Sequence, residues 1–204
     1  MNRKKETGET ASGDGGRRLD RLLGRPLPAV TLESTAGPVQ LGELGGGRLV
    51  LFVYPHATGL PDAPAPGWDL IPGARGCTAQ SCGFRDEHAR ITALGATVVG
   101  LSVQSVDEQR AFASRVALPY PLVSDPELRL AALMGLPTFE AGGRTFYERA
   151  TFVVEKERIV QIFHPIAEPA ANATEVAVWL ERQRPVDTHP SRGIPIDTIG
   201  RSDV

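Results

Sequence analysis

Cysteine is scarce in this 204-residue chain, which has two, Cys77 and Cys82. So few exclude a disulfide scaffold and predict a reduced, cytoplasmic setting in which a thiol pair is catalytic or regulatory. No apolar run approaches the ~20 residues of a membrane span. The basic start "MNRKKETGETASGDGG" lacks an apolar stretch behind it, so the chain is expected neither to span a membrane nor to be secreted. Charge of one sign is lacking too: 22 basic against 24 acidic residues leave a net charge of −2, with no bias toward nucleic acid. The four histidines, His56, His88, His164 and His189, are scattered singly, which weakens a zinc reading. Cys-x-x-Cys is absent, which argues against a protein-disulfide reductase. Neither metal nor cofactor is expected.

What is present is a core: 41% of the residues are hydrophobic, enough for one domain of ordinary size. Residues 1–18 are polar, Gly-rich and free of aromatics, and are read as a disordered tail. Residues 184–204 have no sustained period and several prolines, and are read as an extended tail. Between them, 19–183 alternates strand and helix signals. "LPAVTLES" and "GPVQLGEL" predict a hairpin, and "GRLVLFVYP" and "ATVVGLSV" predict strands covered on both faces. Phe84, His88, Ile91 and Leu94 share one helical stripe that ends near Gly95. Ser105 and Glu108 form a capping box. "YPLVSD" reads as a short edge-like strand, followed by a helix capped by Asp125 with Pro126 at its first position. "RATFVVEKERIVQIFHP" predicts a hairpin turning at Glu155 to Glu157, and "EPAANATEVAVWLERQ" a closing helix. The order implies an α/β domain with a mixed sheet and helices on both faces.

The stretch "IPGARGCTAQSCGFRD" holds both cysteines. Cys77 follows a Gly-rich loop where the helix carrying Phe84 begins, so free N–H groups and the helix dipole would stabilise a thiolate there. Cys82 lies ~7–8 Å farther along an intact helix, too far and too far round to bond directly. If the two pair, the first turns must unwind. On these grounds a redox pair is only slightly favoured over two part-buried thiols.

The neighbouring residues add weight. "GRPLPAVTLES", "LVLFVYP", "GCTAQSCGFRD", "GLSVQSVDEQRAFASRVALPYPLVSDPE" and "ERATFVVEKERIVQIFHP", from about Gly24 to Leu180, resemble the peroxiredoxin family, specifically its peroxiredoxin Q or bacterioferritin comigratory protein branch. The resemblance implies a thioredoxin-like fold and reduction of hydroperoxides. It implies that Cys77 is the peroxidatic cysteine, that Cys82 resolves it as an intramolecular disulfide, and that Arg149 reaches the peroxidatic sulfur. It also implies recycling by thioredoxin or a glutaredoxin-type dithiol, and a monomer. Arg144 is a weaker competitor for the arginine, and Arg75 is expected to face solvent.

The chain departs from the family where a proline, a threonine and the peroxidatic cysteine normally lie in one short loop. Here Pro55 and Thr58 are parted from Cys77 by a proline-rich insertion, 59–75. Thr58 is the first choice for the active-site hydroxyl and Thr78 the second; Pro55 is the expected shield over the sulfur, with Pro72 as its rival. Trp68 is read as anchoring the insertion rather than selecting bulky peroxides. His56 is read as a surface loop residue and His88 as partly buried. A second function, a peroxide sensor that signals by local unfolding, uses the same pair without efficient turnover.

Overall fold

The computed structural model describes residues 19–44, 47–58 and 65–183. Both expected tails and the front of the expected insertion, 59–64, lie outside the described residues. In chain order the elements are β1 (Thr31–Ser34), β2 (Val39–Gln40), α1 (Leu41–Leu44), β3 (Arg48–Val53), a single 3-10 turn (Trp68–Leu70), α2 (Cys77–Asp86), α3 (His88–Ala93), β4 (Ala96–Ser102), α4 (Val106–Arg115), β5 (Leu122–Ser124), α5 (Arg129–Met134), β6 (Thr138–Ala141), β7 (Arg144–Tyr147), β8 (Ala150–Glu155), β9 (Arg158–Phe163) and α6 (Asn172–Arg182).

Seven strands form one mixed sheet in the order β2-β1-β5-β4-β3-β8-β9. β3 lies inside the sheet, parallel to β4 and antiparallel to β8. Its run of apolar residues serves two cores at once, because alternate side chains point to opposite faces. Leu49, Leu51 and Val53 join Trp68, Leu130 and Phe146 on one face. Val50, Phe52 and Tyr54 join Cys77, Phe84, Phe112 and Val176 on the other. Gly100 on β4 makes room for this: a Cβ there would lie 2.7 Å from Phe52 Cζ and 2.6 Å from Leu122 Cδ2. Phe52 is thereby free to stack on Phe84 of α2, with ring centroids 4.5 Å apart. Helices thus cover both faces of a mixed sheet, as the alternation of signals predicts. Among the described residues no helix is long and apolar enough to cross a membrane.

Several local expectations change. "YPLVSD" supplies β5, which is no edge: the β1–β2 hairpin folds back and pairs with it. The helix expected from Cys77 to Gly95 divides at Glu87 into α2 and α3. Asp125 does not cap by position, because Leu128 adopts a left-handed conformation (φ 55°) and α5 begins at Arg129. Its carboxylate still accepts the first-turn amides of Arg129 and Leu130 at 2.9 and 2.8 Å, and the Tyr147 hydroxyl at 2.6 Å. The Ser105–Glu108 capping box forms as expected. The β6–β7 hairpin, a two-stranded sheet of its own, was not anticipated.

Candidate active site

Two glycine-dependent features set the start of α2. Gly76 has φ 88°, a conformation that suits glycine, and a Cβ there would sit 2.8 Å from Pro169 Cγ. The next residue, Cys77, opens the helix with its side chain 3% exposed. Farther along, a Cβ on Gly83 would meet the Ala170 carbonyl oxygen at 2.8 Å. α2 is therefore pressed closely against residues 169–173.

The Cys77 Sγ lies 3.1 Å from Nη2 of Arg149 and 3.5 Å from the Ala74 carbonyl oxygen. Arg149 immediately precedes β8 and is itself 3% exposed. Its Nη2 also donates to the carbonyls of Arg75 (2.7 Å) and Gly73 (3.2 Å), and its Nη1 to Gln80 Oε1. None of these partners is a carboxylate, so nothing among them neutralises the guanidinium. That leaves its charge directed at the sulfur. Tyr54, at the end of β3, adds a buried phenol: burial pushes its pKa up, and a thiolate on Cys77 acts in the same direction. It stays protonated and brings no competing negative charge.

The other predicted residues are placed as follows. Pro55 is buried at the end of β3, and Thr58 is half-buried three residues on. The Gln104 side chain fixes this segment, its Oε1 accepting Ala57 N–H at 2.8 Å and its Nε2 donating to Ala57 O at 2.9 Å. Thr78 is half-buried in the first turn of α2, and Pro72 is exposed. Arg75 is exposed and pairs with Asp69 at 3.1 Å. Arg144 lies 5.3 Å over the Phe146 ring on β7 and is not among the partners of the thiol. Cys82 is half-exposed, and both cysteines are free thiols.

Trp68 is 5% exposed. It packs on Phe146 (4.9 Å), Phe139 (5.6 Å) and His56 (6.4 Å). It anchors the described residues ahead of Cys77 on the β6–β7 hairpin. A second close approach does the same, since a Cβ on Gly142 would lie 2.8 Å from Ala65 Cβ. His56 is half-buried rather than fully exposed: Trp68 packs against it, and burial pushes its pKa down, partly opposed by Glu108. His88 is half-buried against Tyr120, as expected.

A cleft of about 500 Å³ opens beside Arg149, between Ile71, Pro72 and Gly76 on one side and His164, Pro165 and Ile166 on the other. His164 Nδ1 lies 3.0 Å from the Arg149 carbonyl oxygen, so that nitrogen is the donor. No group of three His, Cys, Asp or Glu converges as metal ligands among the described residues. Gln80, which touches Arg149, was missed from the sequence. Its signal was available: it stands three positions after Cys77, one helical turn along the buried face.

Comparison with known proteins places the chain in a family. The AhpC/TSA family model matches residues 70–163. The chain is 33% identical over 142 residues to chloroplastic peroxiredoxin Q of Sedum lineare, covering 69% of this chain and 67% of that protein. It is 30% identical over 139 residues to peroxiredoxin Bcp of Bacillus subtilis, covering 66% of this chain and 79% of that one. The crystal structure of peroxidoxin BcpB from Mycobacterium tuberculosis superposes with a TM-score of 0.65 at 28% identity, over 80% of this chain and 98% of the other. The chain therefore belongs to the peroxiredoxins of the AhpC/TSA family, alongside those named peroxiredoxin Q and Bcp, and is by that kinship a thiol-dependent peroxidase.

Proposed function

We propose that residues 19–183 form the catalytic unit of a two-cysteine peroxiredoxin, acting as a monomer on hydrogen peroxide and organic hydroperoxides. The observation that carries this reading is the buried Cys77 thiol in the first turn of α2, 3.1 Å from the Arg149 guanidinium. The Cys77 thiolate attacks one peroxide oxygen and the O–O bond breaks. Arg149 and the first N–H groups of α2 stabilise the charge that grows on the departing oxygen. That oxygen leaves as water or an alcohol after taking a proton, and Cys77 is left as a sulfenic acid. Thr58 supplies a hydroxyl to the bound peroxide, and Pro55 shields the sulfur from solvent.

Resolution requires movement. In intact α2 the two cysteines are separated by ~7–8 Å along the axis, so residues 77–82 unwind before the Cys82 sulfur attacks the sulfenic sulfur and expels water. A thioredoxin- or glutaredoxin-type dithiol then reduces the disulfide by exchange and is itself oxidised. Mass spectrometry after one equivalent of peroxide tests this cycle. Wild type is expected to gain a Cys77–Cys82 disulfide, and Cys82→Ser to hold a sulfenic acid at Cys77 that a second equivalent of peroxide carries on to a sulfinic acid. Over-oxidised Cys77 with no disulfide in wild type would remove Cys82 from the mechanism.

A further inference from the structure

Behind Arg149 a line of polar side chains runs away from the thiol into the protein. Gln80, Thr151 and Asn172 are fully buried and Arg149 nearly so. Arg149 Nη1 donates to Gln80 Oε1. Gln80 Nε2 donates to Asn172 Oδ1 at 2.9 Å, and Thr151 Oγ1 donates to the same oxygen at 2.7 Å. The line joins three elements: α2 through Gln80, β8 through Thr151 and α6 through its first residue, Asn172.

The direction of these bonds is not arbitrary. A guanidinium has only donors, so Gln80 must turn its oxygen toward Arg149 and its amide nitrogen the other way. That nitrogen then needs an acceptor, and among the described residues it finds one in Asn172. Reversing the Asn172 amide would set N–H against N–H at Gln80. Thr151 closes the line by donating to the acceptor that Gln80 uses. The Asn172 Nδ2 pays for this orientation, being buried without a hydrogen bond among the described residues.

We propose that Asn172 and Thr151 are positioning residues for peroxide reduction, holding the Gln80 amide in the one orientation that keeps Arg149 on the Cys77 sulfur. This rests on the peroxidase reading above. Neither residue touches the sulfur; each acts through Gln80 and Arg149. The same line couples the site to α6. When the first turns of α2 unwind, Gln80 leaves Arg149 and Asn172 together, and re-forming the line restores the guanidinium as the helix closes.

The Thr151 position gives the sharpest test, because packing and positioning make opposite demands there. Val keeps the shape of a fully buried threonine and loses the donor; Ser keeps the donor and leaves a methyl-sized gap. Positioning predicts that Thr151→Val slows single-turnover oxidation of Cys77 by hydrogen peroxide about 10-fold, while Thr151→Ser stays within about 2-fold of wild type. Asn172→Leu, which removes the shared acceptor, is expected to slow it by about 100-fold. Leu180→Ala, which loosens α6 away from the line, should leave the rate unchanged. Wild-type rates in Thr151→Val with slow oxidation in Thr151→Ser would overturn the proposal in favour of packing. Crystal structures of the two Thr151 variants separate this from the function itself: the Arg149–Sγ contact should be lost in Val and kept in Ser whether or not the protein turns over peroxide. An intact contact in both would overturn the proposal.

Discussion

The loop that leads into Cys77 and the helix that leaves it are held by different balances of interaction. The front of the loop is fastened by apolar burial, with Trp68 set among Phe139, Phe146 and His56, and only its last residues, through the Gly73 and Arg75 carbonyls, are held by hydrogen bonds from Arg149. The first turns of α2 are fastened by directed polar contacts: Arg149 to Cys77 and Gln80, Gln80 to Asn172, and the Tyr120 hydroxyl to the Ser81 carbonyl at 2.6 Å. Strong apolar packing resumes at Phe84, stacked on Phe52. Burying an aromatic contributes about 3–5 kcal/mol by large-to-small substitution, whereas a neutral hydrogen bond contributes only ~1 kcal/mol net. Under the proposed cycle the loop is the part that stays and residues 77–82 the part that opens, as pairing of two cysteines on one intact helix would require.

The contrast can be broken from either side. The largest effect belongs to Cys77→Ser, which should abolish peroxide consumption in an assay with a recycling dithiol while thermal unfolding changes little. Arg149→Met comes next; losing the positive donor from the sulfur should lower the second-order rate with peroxide by about 10²–10³-fold, read by stopped flow. Trp68→Ala tests the other half: urea unfolding should show a loss of about 3–5 kcal/mol, with Cys77 still oxidised by peroxide in the folded fraction. If that variant instead kept its stability and lost its peroxide reaction, the division between fixed loop and opening helix would be wrong.

The smallest effect is a pH dependence within the loop's anchor. Burial lowers the His56 pKa in the folded protein, so the fold binds the neutral imidazole. The stabilisation from this is complete above the unfolded value of about 6.5 and is lost as pH falls from there toward the folded value. His56→Phe should flatten the decline in urea midpoint between about pH 6.5 and pH 5, the window below that unfolded value. A decline as steep as in wild type would mean that His56 is not the group responsible.

The sheet and the thiol's setting were legible because they rest on local patterns. An apolar run such as "LVLFVYP" announces a buried strand, and a Gly-rich approach before an apolar stripe announces a helix start at Cys77. Arg149 was found by its motif. The missed parts depend on contacts between segments distant in sequence. The β6–β7 hairpin hides behind short strands, although Gly142 and Gly143, both at positive φ, are the turn chemistry that a two-residue hairpin demands. His56 is the loop residue expected, but its half-burial was not legible, because nothing local says that Trp68 returns to pack against it. Asn172, at the start of a helix, resembles an ordinary surface cap until Gln80, 92 positions away, is found against it.

The contact between Gly76 and Pro169 gives the opening helix a stop. In the proposed cycle the peptide at Gly76 is a pivot, unencumbered by a side chain, while the proline ring behind it limits how far the pivot can retreat. A hinge with a backstop returns to one closed position. After each reduction the sulfur would therefore come back to the same guanidinium and carbonyl by a short swing rather than a search, and the time to rearm the site would be set by helix closure instead of loop refolding.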